Sequence, residues 1–346
     1  MLDFAKRVSA PAATRESYAE AYRWMLLARV MEEKMASLYR GGKITGGVFL
    51  GKGQEALSAS LGVSLSLQSG DIFAPLIRDQ AGRLAFGEPL IDGIRTYLGS
   101  RLGPMRGRDG NVHRGNIQQG ILPMISHLGA MISVVCGVLM ARRFKGETGM
   151  VGATCLGEGG TSTGAFHEAM NFAAVERLPL VMIVANNQYA YSTPNSRQFI
   201  CEDLTTRAAG YGIAGHTVDA TDLDACLEGV GEAVERARRG EGPQLVVAHL
   251  LRLAGHGEHD DAGYIDPALK ASPLGRDCLK VAEETLVARE WATGGELACW
   301  REEALRQVEE AVATAQRDPV PDPNLEKWCA LSTSRLADSY AVEQAP

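Results

Sequence analysis

The strongest constraint on the fold is a strand–helix–strand unit near the middle of the chain. Residues 150–156 (MVGATCL) and 180–185 (LVMIVA) are apolar runs of the kind that form buried parallel strands. Between them, residues 165–177 carry apolar side chains at helical spacing, and Pro179 ends that helix. Because crossover connections are right-handed, the two strands end at the same edge of one sheet. The unit predicts an α/β fold with a parallel sheet flanked by helices.

Polar residues follow both strands at that edge. The first strand runs into residues 157–160 (GEGG), and the second runs into Asn186 and Asn187. We expect Thr161 or Ser162 to cap the intervening helix, whose N-terminus favours phosphate. The Glu158 carboxylate and the Asn187 amide oxygen would then converge, as a hard cation that carries a diphosphate requires. Glycine and asparagine are also common in ordinary turns, so a loop without a ligand is the alternative interpretation.

Composition excludes several classes of protein. The chain has 346 residues, a net charge of −7 and no long basic run, which argues against nucleic acid as a partner. Its seven cysteines are scattered and form no CxxC pair, as expected of buried thiols in a reducing cytosol. No apolar stretch is long enough to span a bilayer, and residues 1–13 lack a secretory signal core. We therefore expect a cytoplasmic protein that binds no membrane.

The chain divides into three predicted segments. Residues 1–40 form an N-terminal helical segment, residues 41–275 an α/β diphosphate-binding domain, and residues 276–346 a C-terminal helical and extended arm. Further helices are predicted at 14–39, 54–67, 128–142 and 223–239, and the helix at 128–142 is expected to be buried. Further strands are predicted at 72–77, 214–218 and 244–250, although Pro75 weakens the first.

Several motifs together resemble a known family. The GEGG segment at 157–160, the segment FHEAMNFAA at 166–174 and the segment NNQYA at 186–190 are similar to the thiamine-diphosphate-binding motif. More narrowly, they resemble the alpha subunit of the E1 component of 2-oxo acid dehydrogenases. Shorter segments extend the likeness from about residue 20 to about residue 330: 22–25, 53–56, 110–113, 255–257 and 318–321. Glu158 and residues 191–194 (YSTP) look most like the branched-chain subgroup.

The resemblance implies a thiamine-diphosphate-binding fold, with thiamine diphosphate and Mg²⁺ as cofactors. It implies decarboxylation of a 2-oxo acid and transfer of the acyl group to a lipoyl acceptor on an E2 partner. It also implies a beta subunit that supplies the glutamate for the pyrimidine ring, in an alpha2–beta2 assembly. Two alternatives stay open: a carboligase or transketolase-like acyl transferase on the same two-subunit scaffold, and a phosphate-binding protein without catalysis.

The resemblance also assigns residues to the site. It places Glu158, Asn187 and the backbone carbonyl of Tyr189 on the metal. It makes His256 the catalytic candidate, and it gives this set for the cofactor: Arg78, Ser126, Glu158, Gly159, Gly160, Asn187, Tyr189 and His256. A guanidinium suits phosphate, and histidine titrates near working pH. The alternatives are a surface ion pair for Arg78 and a solvent-exposed loop for His256.

Other positions bear on substrate and regulation. Phe49 stands where pyruvate-type members carry a histidine, which favours a bulkier or more apolar substrate. Gly257 stands where a serine takes phosphate in mammalian-type members, so that switch is expected to be absent. His127 either perturbs a cofactor contact or is an inert core histidine. A basic loop either faces an acidic substrate or lipoyl domain or is simply solvated: Arg106, Arg108, His113 and Arg114.

Overall fold

A computed structural model describes residues 13–325. Its helices are α1 (Arg15–Arg40), α2 (Glu55–Ser64), α3 (Gln80–Phe86), α4 (Leu90–Tyr97), α5 (Ala130–Phe144), α6 (Gly164–Val175), α7 (Thr206–Tyr211), α8 (Leu223–Arg238), α9 (Pro267–Ala271), α10 (Cys278–Ala288) and α11 (Gly294–Ala315). Its strands are β1 (Ile72–Ala74), β2 (Gly152–Gly157), β3 (Leu180–Asn186), β4 (Tyr189–Ala190), β5 (Thr193–Pro194), β6 (Ala214–Asp219) and β7 (Gln244–His249).

Five strands form one parallel sheet in the order β1-β2-β3-β7-β6. Strands β2 and β3 are neighbours, and Gly157 at the end of β2 pairs with Ala185 in β3. The predicted parallel sheet is confirmed, and the ends of β2 and β3 lie at one edge. The remaining two strands, β4 and β5, form a small antiparallel ribbon just beyond that edge.

Helices cover both faces of the sheet. Along β3 the side chains alternate between two cores, as the two-residue period of a strand requires. Val181 and Ile183 pack in the core that includes residues of α1, α2 and α8. Met182 and Val184 pack in the core that includes residues of α5 and α6. A strand buried on both faces needs a continuous apolar run, which explains why β3 carries no polar side chain before Asn186.

Three local predictions were wrong. The strand predicted at 72–77 ends at Ala74, since Pro75 follows it and offers no N–H to a ladder. The helix at 128–142 is α5, and it is not buried all round: Val134 is 38 % exposed, because only one stripe of α5 meets the sheet. The cap of α6 is Thr163, whose Oγ1 accepts from Phe166 N, while Thr161 turns its hydroxyl to the Glu158 carbonyl.

The C-terminal region packs on the start of the chain. Helix α11 lies against α1 and α4, and beyond it the Asp318 carboxylate accepts from Arg95 and Ser100. The predicted arm continues to residue 346, and its part at 326–346 lies outside the described residues. The division into three segments stays a prediction. No helix within residues 13–325 is long and apolar enough to cross a membrane.

Candidate active site

Two polar side chains meet where β2 and β3 end. Glu158 follows β2 and is 1 % exposed, and Asn187 follows β3 and is also buried. The backbone N–H of Asn187 donates to Glu158 Oε2 at 3.1 Å. Burial raises the pKa of Glu158, while a hydrogen bond from Gln198 and the backbone N–H of Asn187 oppose that rise. A buried carboxylate that is held in this way is oriented for a cation.

Three oxygen atoms that could bind a cation follow β2 and β3: Glu158 Oε1, Asn187 Oδ1 and the Tyr189 carbonyl oxygen. Gln198 Nε2 donates to Glu158 Oε1 at 3.2 Å, Tyr189 N–H donates to Asn187 Oδ1 at 3.4 Å, and Arg252 Nη1 donates to the Tyr189 carbonyl at 3.2 Å. Each of these oxygens keeps a further acceptor position. Within residues 13–325 no group of three or more His, Cys, Asp or Glu could hold a metal ion. A cation bound by this single carboxylate would need ligands from an anion as well.

Arg78 is a buried cation beside this edge. Its side chain is on a residue that is 7 % exposed, its Nη2 donates to the His256 carbonyl at 2.5 Å, and its Nε has no hydrogen-bond partner. No carboxylate of the described residues lies within ion-pair distance of it. Burial, and secondly the charge of Arg252, lower the pKa of Arg78 to about 10. The alternative of a surface ion pair is therefore wrong, because this guanidinium is neither exposed nor paired.

Arg252 is a second buried guanidinium that sequence reasoning missed. It donates to three backbone carbonyls at 2.7–3.2 Å, those of Tyr189, Tyr191 and Ala254. It thereby ties the β4–β5 ribbon to the chain that follows β7. The available signal was its position, since an arginine shortly after the apolar run of β7 must lie at the same carboxyl edge as Glu158.

His256 is half-buried between aromatic rings and positive charges. Its ring centroid lies 4.5 Å from that of Tyr191 and 5.4 Å from that of Phe49. Burial, followed by the charges of Arg78 and Arg252, lowers the pKa of His256 to about 4. The imidazole is therefore neutral at neutral pH, and its Nδ1 is buried without a partner in the described structure. The alternative of a solvated loop histidine is wrong.

The remaining cofactor candidates have other contacts. Ser126 is exposed, and its Oγ lies 2.8 Å from His113 Nε2. A Cβ on Gly159 would lie 2.6 Å from Ala190 Cβ, and one on Gly160 would lie 2.6 Å from Leu156 Cδ1. Both glycines are thus required by close packing of the turn, whatever binds there.

Two predictions about basic residues were wrong. Arg114 does not face a substrate: it is 1 % exposed and donates to both Glu88 carboxylate oxygens at 2.7 and 3.0 Å. Arg83 donates to the same carboxylate at 2.9 Å, so the ion pair is internal. His127 is exposed, which excludes the inert core histidine. The spacing of residues along the chain could not predict these differences, since they depend on contacts with distant segments.

The residues at this edge suit an anion that binds together with a cation. Within residues 13–325 neither of two buried guanidiniums, Arg78 and Arg252, has a carboxylate within ion-pair distance, although the charges of Glu32 and Glu158 act on Arg78 from farther away. Among the described residues the buried Arg78 Nε has no acceptor, and the buried His256 Nδ1 has no hydrogen-bond partner. Phosphate oxygens satisfy both requirements, and oxygen donors suit Mg²⁺. The fold and this site thus define an enzyme class that binds a diphosphate-bearing cofactor at the carboxyl edge of a parallel sheet.

Comparison with known proteins is consistent with that class. Residues 22–324 match the family described as "Dehydrogenase E1 component", and the chain belongs to this family. It is 34 % identical over 319 residues to the alpha subunit of acetoin:2,6-dichlorophenolindophenol oxidoreductase from Cupriavidus necator, covering 89 % of this chain and 92 % of the relative. It is 33 % identical to the alpha subunit of pyruvate dehydrogenase E1 from Rhizobium meliloti, covering 89 % and 88 %.

A third relative is the alpha subunit of 2-oxoisovalerate dehydrogenase from Bacillus subtilis, 36 % identical over 268 residues and covering 75 % of this chain and 80 % of the relative. The resemblance to E1 alpha subunits is thus confirmed. The interpretation as a 2-oxo acid dehydrogenase component is confirmed as well, and it is favoured over the carboligase and over the protein without catalysis. The family implies thiamine diphosphate as cofactor, and the alpha designation of the relatives implies a beta subunit as partner.

Proposed function

We propose that this chain binds thiamine diphosphate through Mg²⁺ and, with a beta subunit, decarboxylates a 2-oxo acid and passes the acyl group to a lipoyl acceptor. Glu158, Asn187 and the Tyr189 carbonyl would hold the cation. The observation that carries the proposal is Arg78, a buried guanidinium at this edge that has no carboxylate within ion-pair distance in the described part of the chain. Leaving such a charge unpaired is costly in a protein without a ligand, and a diphosphate removes the cost.

Thiamine diphosphate, when bound, would supply a nucleophilic carbon and an electron sink for decarboxylation of the 2-oxo acid. The chain supplies position and charge. Arg78 and Ser126 would hold phosphate oxygens, with Gly159 and Gly160 letting the backbone approach. His256 is neutral, with Nδ1 free of partners, so it can accept a proton at the reaction centre. An anion beside Arg78 would raise the pKa of His256 towards the working range.

The rings around His256 argue for the substrate class. Phe49 and Tyr191 flank the imidazole, and both are large, largely apolar surfaces. A small, highly polar substrate gains little from such walls, whereas a branched aliphatic chain gains burial. The relatives are named for acetoin, pyruvate and 2-oxoisovalerate, and the ring pair favours a branched-chain 2-oxo acid. Phe49→His would recreate the residue type of pyruvate-like members.

The alpha designation of the relatives supports a beta subunit as partner. The glutamate for the pyrimidine ring would come from a beta subunit in an alpha2–beta2 assembly, and a lipoyl-bearing E2 would accept the acyl group. A cytoplasmic location completes the proposal, as the cysteine usage predicts.

Co-expression with the beta chain tests these points together. Mass measurement of the purified assembly should give an alpha2–beta2 complex, and calorimetry should show thiamine diphosphate binding that needs Mg²⁺. Ferricyanide reduction should be faster with branched-chain 2-oxo acids than with pyruvate. Glu158→Ala should abolish cofactor-dependent turnover, whereas Glu168→Ala, an exposed glutamate on α6, should leave turnover unchanged. Full turnover by Glu158→Ala would refute the metal assignment.

A further inference from the structure

Three side chains form a hydrogen-bonded relay outside the groups assigned so far. Asp109 Oδ2 lies 2.7 Å from His113 Nδ1, and His113 Nε2 lies 2.8 Å from Ser126 Oγ. Both distances are short for bonds to a ring nitrogen, and the second joins two positions that are 13 residues apart along the chain. The serine at the end of the relay is exposed, while the histidine is half-buried.

The fold places the end of this relay at the edge that carries the site. Ile121 bridges Phe73 of β1 in parallel, and Leu122 N–H donates to the Phe73 carbonyl. The chain therefore runs along β1 in the strand direction and delivers Ser126 beyond the carboxyl edge, as β1 does for Arg78. Ser126 also precedes Gly129, the cap of α5, by three residues.

The caps of two helices adjoin at that point. A Cβ on Gly129 would lie 2.9 Å from Thr163 Oγ1 and 3.1 Å from the Phe166 backbone nitrogen, at the start of α6. Ser126 thus lies near the N-termini of α5 and α6, where backbone N–H groups favour negative charge.

The direction of each hydrogen bond decides what the relay does. An ionised Asp109 can only accept, so His113 Nδ1 donates to it. The serine hydroxyl has one hydrogen, and that hydrogen points to His113 if Nε2 accepts. With Nδ1 donating to Asp109, Nε2 can donate as well only in the doubly protonated ring; the serine oxygen is then the acceptor and its hydroxyl hydrogen is free for an anion. A donor nitrogen at the Nε2 position therefore aims Ser126 at a ligand.

We propose that Asp109 and His113 are positioning residues that turn the Ser126 hydroxyl towards the cofactor diphosphate. This inference rests on the proposed function, since it takes the diphosphate as the anion. It adds two residues that the family resemblance did not assign, and they act only through Ser126. The relay should affect how tightly the cofactor binds and leave turnover at saturating cofactor within about twofold, because neither residue touches the reacting atoms.

Two amide substitutions separate positioning from bulk structure. Gln places its amide nitrogen near Nε2 and keeps a donor to Ser126, whereas Asn reaches only as far as Nδ1. His113→Asn should weaken thiamine diphosphate binding about tenfold or more, as loss of a hydrogen bond to a charged group does. His113→Gln should stay within about threefold of the parent complex. His216→Asn is the matched control, since His216 is also half-buried but bonds Gln244 on a neighbouring strand.

The measurement is calorimetric titration of the alpha–beta complex with thiamine diphosphate at fixed Mg²⁺, together with turnover at saturating cofactor. Ser126→Ala should weaken thiamine diphosphate binding by the same factor as His113→Asn, and the double variant should bind no more weakly than either single variant. If His113→Asn does not fold, Ser126→Ala with Asp109→Asn tests the same chain of contacts. Equal loss in His113→Gln and His113→Asn, or binding by His113→Asn that equals the parent, would overturn the relay. Absence of binding to the parent complex would overturn the cofactor proposal itself, and the relay with it.

Discussion

Replacement of Arg78 by methionine should separate the stability of the ligand-free protein from its affinity for the cofactor. Arg78 is buried without a carboxylate partner, and its surroundings lower its pKa to about 10. Each tenfold change in proton affinity corresponds to about 1.4 kcal/mol, so the buried charge costs on the order of 3 kcal/mol. Methionine removes that cost and loses one hydrogen bond to the His256 carbonyl, worth about 1 kcal/mol.

We therefore expect ligand-free Arg78→Met to be as stable as the parent or up to about 2 kcal/mol more stable. Thiamine diphosphate binding should fall at least about 100-fold, since a guanidinium–phosphate contact is charge-assisted and worth about 3 kcal/mol. Urea unfolding measures the first quantity, and calorimetry on the alpha–beta complex measures the second. The increase in melting temperature that saturating cofactor produces should be largely lost.

An arginine in an ion pair supplies the control. Arg238 donates to both oxygens of the buried Asp71 carboxylate at 2.8 and 2.9 Å, directly before β1 and hence at the opposite edge of the sheet from the site. Arg238→Met should destabilise the protein by about 3 kcal/mol or more, because it leaves a buried carboxylate without its ion-pair partner. Its cofactor affinity should be unchanged in the folded fraction. The argument fails if Arg78→Met loses stability as Arg238→Met does while retaining normal affinity for the cofactor.

Three further outcomes are expected. Gln198→Met should weaken Mg²⁺ binding about tenfold, because Glu158 loses a hydrogen bond. Ser162→Ala removes only a hydrogen bond to the Gln198 carbonyl and should leave Mg²⁺ binding unchanged. Equal Mg²⁺ affinities of the two variants in metal titrations would contradict this. Since the native pKa of His256 is about 4, the unfolded chain binds more protons between about pH 4 and 6.5, so stability falls as pH drops through that window. His256→Asn should flatten this fall in urea titrations, and an unchanged slope would refute the assignment. Phe49→Ala should lower kcat/KM for branched-chain 2-oxo acids about tenfold and change kcat/KM for pyruvate little. A larger loss of kcat/KM for pyruvate than for branched-chain 2-oxo acids would exclude Phe49 as an apolar wall of the substrate site.

Much of the fold could be predicted from local sequence patterns. The apolar runs of β2 and β3 identify strands that are buried on both faces, and the handedness of crossovers brings their ends together. Glu158 and Asn187 could therefore be paired from the sequence, although 29 positions separate them. The face of α5 that stays exposed could not be predicted, because an apolar composition does not reveal which stripe meets the sheet.

The sequence by itself determined the parallel sheet, the edge at which the site lies and the oxygen donors that follow β2 and β3. These depend on periodicity and chirality, which act over neighbouring residues. Only the tertiary structure decided which charges are paired: Arg114 is paired with Glu88, whereas no carboxylate within residues 13–325 pairs with Arg78 or Arg252. It also joined His113 to Ser126. A side chain finds its hydrogen-bond partner in space, and no spacing along the chain encodes that choice.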